Sequence, residues 1–76
     1  MIKRKNKDGM NMTALVDTIV TALQMENEEY TIESNNKFIV IKWKNHIATV
    51  QGEYVWFDNK VQRSVYNIIN CIKAGN

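Results

Sequence analysis

The chain has no proline, three glycines, one cysteine and one histidine in 76 residues, and each shortage removes a class of explanation. Without proline, every turn must be made by Gly, Asn or Asp. The lone Cys71 forms no internal disulfide, and one His with one Cys does not furnish the four ligands of a structural zinc site. A single free thiol fits a reducing, cytoplasmic setting. No stretch approaches the eighteen or so consecutive apolar residues that a membrane helix needs, so no membrane partner is expected. The basic start Lys3-Arg4-Lys5-Asn6-Lys7 runs into Asp8-Gly9 and not into the apolar segment of a signal peptide. Gly9, Gly52 and Gly75 stand apart, which excludes a glycine-rich phosphate loop. Glu26, Glu28, Glu29 and Glu33 lack the spacing of a calcium loop. The sequence therefore predicts no metal, no cofactor and no enzyme. His46 falls beside a hairpin turn with no nucleophile or orienting acid next to it in sequence. Cys71 lies on the flank of a helical stripe, with only Lys73 close by to lower its pKa. Both are read as structural residues.

What is present begins with an uneven charge distribution. Of ten basic and eight acidic residues, four basic and one acidic lie in residues 1–9, leaving six basic and seven acidic for the remainder. Residues 1–9 read as a flexible basic arm, whose Lys3, Arg4, Lys5 and Lys7 are the candidate nucleic-acid contacts. Residues 10–76 read as one nearly neutral domain without the basic footprint of a nucleic-acid binder. At this length a single core is only marginally stable.

Hydrophobic spacing defines the elements. Asn11 caps a first helix in which Met12, Leu15, Val16, Ile19 and Leu23 share one stripe, ending near Met25. Alternating residues from Tyr30 to Phe57 then predict a β-meander folded about three tight turns, at Asn35-Asn36, Lys44-Asn45 and Gly52-Glu53. These turns place Tyr30, Ile32, Ile39, Ile41, Trp43, Ala48, Val50, Val55 and Phe57 on one face, taken as the core face. A second helix opens after Phe57, capped by Asp58 or Asn59, with Val61, Val65, Ile68, Ile69 and Ile72 as its apolar stripe and Gly75 as its stop. The expected fold is α+β: a small antiparallel meander of three to four strands flanked by an N-terminal and a C-terminal helix packed on one face, in the order α-β-β-β-β-α.

The other face of the meander is also apolar, and this carries the functional signal. Phe38, Val40, Ile47, Tyr54 and Trp56 stand among Lys42, Lys44 and Thr49, and the three aromatics could each bury roughly 150–250 Å². Three explanations compete: these side chains cover one another on a twisted sheet, they form a homodimer, or they engage another macromolecule. In layout the chain resembles a double-stranded-RNA-binding domain, but only Lys60 and Arg63 stand where that family has a Lys-rich motif at the start of its last helix. It is also similar in size, composition and helix–sheet order to small phage-encoded inhibitors such as some anti-CRISPR proteins. Ten asparagines with abundant Lys and Ile fit an AT-rich bacterial host and its mobile elements. The expectation is a non-enzymatic, phage-type regulator or inhibitor that binds a host protein stoichiometrically through Phe38, Val40, Lys42, Lys44, Ile47, Thr49, Tyr54 and Trp56. The alternative is a nucleic-acid-binding module that uses the same face and the basic arm.

Overall fold

A computed structural model describes residues 9–75, so the readings of residues 1–8, including Lys3, Arg4, Lys5 and Lys7, lie outside the described residues. The element order is α1 (Met12–Met25), β1 (Thr31–Ser34), β2 (Ile39–Trp43), β3 (His46–Gln51), β4 (Tyr54–Phe57), β5 (Lys60–Gln62) and α2 (Tyr66–Lys73). The strands form one antiparallel sheet in sequential order, β1-β2-β3-β4-β5. The class is α+β as expected, with five strands and not three to four.

Helix α1 starts and stops for identifiable reasons. The Asn11 side chain accepts a hydrogen bond from the Ala14 N–H at 3.0 Å, which satisfies one of the free donors at the helix start. At the other end Asn27 takes the left-handed conformation (φ 55°). The Glu28 N–H then reaches back to the Leu23 carbonyl at 2.9 Å and the Asn27 N–H to that of Gln24 at 3.1 Å, the paired bonds of a Schellman stop.

The central ladders follow the expected register. Ile41 pairs with Ala48 and Trp43 with His46 across β2–β3. Across β3–β4, Val50 pairs with Val55 and Ala48 with Phe57. The first hairpin differs. Asn35 donates its N–H to the Phe38 carbonyl at 3.0 Å while its side chain accepts from the N–H groups of Lys37 and Phe38. The turn is therefore centred on Asn36-Lys37, and Ile32 pairs with Ile41 in place of Ile39. A slip of two residues preserves which side chains share a face, whereas a slip of one would have reversed them.

The largest correction concerns Asp58-Asn59. Both residues have positive φ, 50° and 69°, the requirement of a type I′ hairpin turn. The chain turns back into β5 and does not enter a helix. Trp56 faces Val61 in this hairpin, so Val61 is 52 % exposed on the sheet and does not belong to a helical stripe. Helix α2 begins only at Tyr66, whose N–H donates to the Ser64 hydroxyl at 3.2 Å. It ends at Gly75, with φ 79°, as expected.

One core fills the space between the helices and the sheet. It joins Leu15, Ile19, Ala22 and Leu23 of α1, Ile68, Ile69 and Ile72 of α2 with the preceding Val65, and Ile41, Trp43, Ala48, Val50 and Val55 of the strands. Tyr30, Ile39 and Phe57 pack at its margin. Every strand residue in this cluster has the same phase, so both helices cover the same face. Ile32 has that phase too but is 47 % exposed. It lies on edge strand β1, beyond the helices, and is not core.

Candidate functional site

The uncovered face is ordered by the ladders. One row crosses all five strands: Glu33, Val40, Thr49, Trp56 and Val61. Thr31, Lys42 and Ile47 form the next, while Gln51 pairs with Tyr54 on the other side. Phe38 stands in the β1–β2 turn. Ile47 is 38 % exposed, but Phe38, Val40, Thr49, Tyr54 and Trp56 are partly buried although no helix covers them. Neighbouring side chains shield them: the Tyr54 and Trp56 rings lie 6.3 Å apart, tilted by 51°. Beside Trp56 is a shallow, open depression of about 360 Å³, lined by Phe38, Thr49, Gln51, Trp56 and Asn59. The structure thus brings seven of the eight expected surface residues together and adds Val61. Hydrophobic spacing alone does not assign Val61 to this face, because Asp58-Asn59 also has the chemistry of a helix cap.

Lys44 is the residue it places elsewhere. Its ammonium donates to the Gly75 carbonyl at 2.7 Å and pairs with the Glu28 carboxylate at 3.0 Å. It thereby ties the β2–β3 turn to the C-terminal ends of α1 and α2, and a cation at a helix C-terminus complements the dipole there. Lys42 remains on the sheet, paired with Glu33 at 3.1 Å, with both side chains about half-exposed or more.

A second cluster forms at the helix side of the sheet. His46 packs its ring against Phe57 at 5.1 Å and Trp43 at 5.7 Å, centroid to centroid. The neighbouring Trp43 indole N–H is buried without an acceptor among the described residues. His46 Nδ1 lies 2.9 Å from Asp58 Oδ2, and Asp58 Oδ1 accepts the Ile47 N–H at 2.9 Å. The Cys71 sulfur lies 3.9 Å from His46 Nε2. The Ile47 N–H bond, followed by the hydrogen bond and charge of His46, holds the Asp58 carboxyl below the usual carboxylate range. An ionised carboxylate only accepts hydrogen bonds, so His46 carries its proton on Nδ1 and, when neutral, presents the Nε2 lone pair to the thiol. No orienting acid or thiol stands next to His46 in sequence; the fold brings Asp58 and Cys71 to it. The signal was in the register: extending the Ala48–Phe57 ladder one step puts Asp58 opposite Ile47, next to His46.

Among the described residues, no group of His, Cys, Asp and Glu has the arrangement to hold a metal ion, and no helix is long and apolar enough to cross a membrane. Comparison with protein-family models, curated proteins and solved structures gives no match to this chain.

Proposed function

We propose that the protein is a non-enzymatic binding module, a regulator or inhibitor of the kind mobile elements carry, that docks stoichiometrically on a host protein through the uncovered sheet face. The observation that supports this reading most is the shallow, open depression beside Phe38 and Trp56 on a face with no helix over it. Aromatic rings beside a pocket are the usual anchors of protein interfaces, with a polar rim around them. Here Trp56, Tyr54 and Phe38 are the anchors, Val40, Ile47 and Val61 extend the apolar floor, and Thr49, Gln51 and Lys42 form the rim. The partner surface that fits is an apolar projection of a protein and not a run of phosphates. Lys42 is already neutralised by Glu33, and Lys44 by Glu28 at the other end of the molecule, so the face has little free positive charge to follow a nucleic-acid backbone.

Trp56→Lys tests the reading. The long lysine stem can lie on the sheet with its charge in water, so folding should persist while an aromatic anchor is lost. A protein partner retained by the parent after nuclease treatment, and lost by Trp56→Lys and by Val61→Glu alike, is the expected result. Loss of a dimer in size-exclusion chromatography would instead identify a second copy as the occupant. Binding that disappears with nuclease would identify nucleic acid, and unchanged protein binding by both variants would exclude this face.

A further inference from the structure

We propose that Cys71 is a site of reversible covalent modification by small disulfides, a thiol deprotonated by His46 and oriented for it by Asp58. The residues come from three parts of the fold: Cys71 from α2, His46 from the start of β3 and Asp58 from the β4–β5 turn. Their atoms form a continuous chain, from Sγ to Nε2 at 3.9 Å and from Nδ1 to Oδ2 at 2.9 Å. That order of nucleophile, base and orienting acid is the arrangement by which proteins activate a thiol. The sulfur–nitrogen distance is long, as such contacts often are before a reactant is bound. The Asp58 carboxylate is fixed at its other oxygen by the Ile47 N–H, so the imidazole is held by the backbone of the sheet and not by a loose side chain. Stacked Trp43 and Phe57, 5.8 Å apart, pack against the same ring.

Access limits the reagent. Cys71 is partly buried, and the side chains of His46 and Asp58 are 22 % and 42 % exposed. A small disulfide of the oxidised-glutathione class can reach such a sulfur more readily than a protein can. In the reaction, Cys71 gives its proton to Nε2 and the thiolate attacks one sulfur of the disulfide. The new sulfur–sulfur bond forms at Cys71 as the reagent's own breaks, and the departing thiolate takes up the proton from the imidazolium. One thiol and one disulfide yield one mixed disulfide and one small thiol. The cluster lies on the helix side of the sheet, so this proposal does not depend on what the outer face binds.

The charged groups around the chain of contacts are Lys60, which also acts on Asp58, and Lys73, two residues beyond Cys71 on α2. The test follows the release of thiolate from a chromogenic aryl disulfide, with the oxidised-glutathione adduct confirmed by mass spectrometry. Only one cysteine is present, so the signal reports Cys71 alone. His46→Gln should slow the reaction about a hundredfold or more, within the span of a lost general base. Asp58→Asn should slow it too, because an amide that donates to Nδ1 forces the proton onto Nε2, where no lone pair then faces the sulfur. Rates of the two folded variants within twofold of the parent would overturn the proposal. So would a parent thiol that reacts more slowly than in the urea-unfolded chain. Should His46→Gln fail to fold by circular dichroism, Asp58→Asn and the comparison with the urea-unfolded chain decide.

Discussion

On the helix side of β2, β3 and β4, Ile41, Ala48, Val50 and Val55 are completely buried; one residue along on the same strands, Val40, Thr49 and Trp56 are half-covered. Both faces carry aromatic and aliphatic residues, with Trp43 and Phe57 on the inner one and Tyr54 and Trp56 on the outer. What differs is cover. The apolar stripes of α1 and α2 both lie against the inner face, and their residues fuse with it into one cluster. The outer face has only its own side chains, which tilt over one another and leave a depression. Apolar character therefore does not make a core in this chain; the placing of the helices does. The remaining uncovered apolar surface is what the proposed docking on a partner would cover.

The comparison breaks most severely at the helix–sheet junction. Val65, fully buried where α2 begins, sits between the two layers. Val65→Asp puts an unpaired carboxylate there and should unfold a domain of this size outright. Ile68→Ala, one turn on and equally buried, should cost about 2–5 kcal/mol through lost contacts and the remaining cavity. Urea titrations followed by circular dichroism check both. Melts unchanged from the parent would mean that α2 presents a different side to the sheet.

A smaller effect sharpens the contrast at the sheet's end. Asp58 is more acidic in the fold than in an unfolded chain because of the Ile47 N–H and His46. The resulting stabilisation is complete above the ordinary carboxylate pKa and is lost as pH falls through the depressed folded value. The parent's urea midpoint should therefore drop below about pH 4, and Asp58→Asn should drop less steeply over the same range. Its exposure keeps the contribution modest. Parallel acid limbs for the two proteins would show that the Asp58 contacts carry no stability.

Much of this organisation is legible in the sequence, and the largest failures share one cause. The α1 boundaries, the β2–β3–β4 registers and the two tight turns at Lys44-Asn45 and Gly52-Glu53 rest on local spacing that allows one solution. Asp58-Asn59 does not. Asp and Asn cap helices by accepting N–H bonds and also tolerate positive φ in hairpins, so the same pair announces either element. Reading it as a cap removes β5, moves Val61 from the sheet to a helix and starts α2 six or seven residues early. It also hid the His46–Asp58–Cys71 cluster, whose members are 12 and 25 residues apart and meet only once Asp58 continues the β4 ladder. The exposure of Ile32 was hidden for another reason: alternation assigns a face but does not say how far the helices extend across it.

That last point gives the finest test. Ile32 and Ile41 are directly paired on neighbouring strands and point to the same side, yet Ile32 is 47 % exposed and Ile41 is completely buried. If facing the helices were enough to make a residue core, the two would respond alike to truncation. If cover decides, Ile41→Ala should cost about 2–5 kcal/mol, whereas Ile32→Thr should stay within about 0.5 kcal/mol of the parent, as surface substitutions usually do. Threonine keeps the branched shape that suits a strand, so strand propensity adds little to the difference and the measurement isolates burial. Equal losses in the two variants would mean that β1 is covered in solution, and that a helix end, residues 1–8 or a second molecule lies over it.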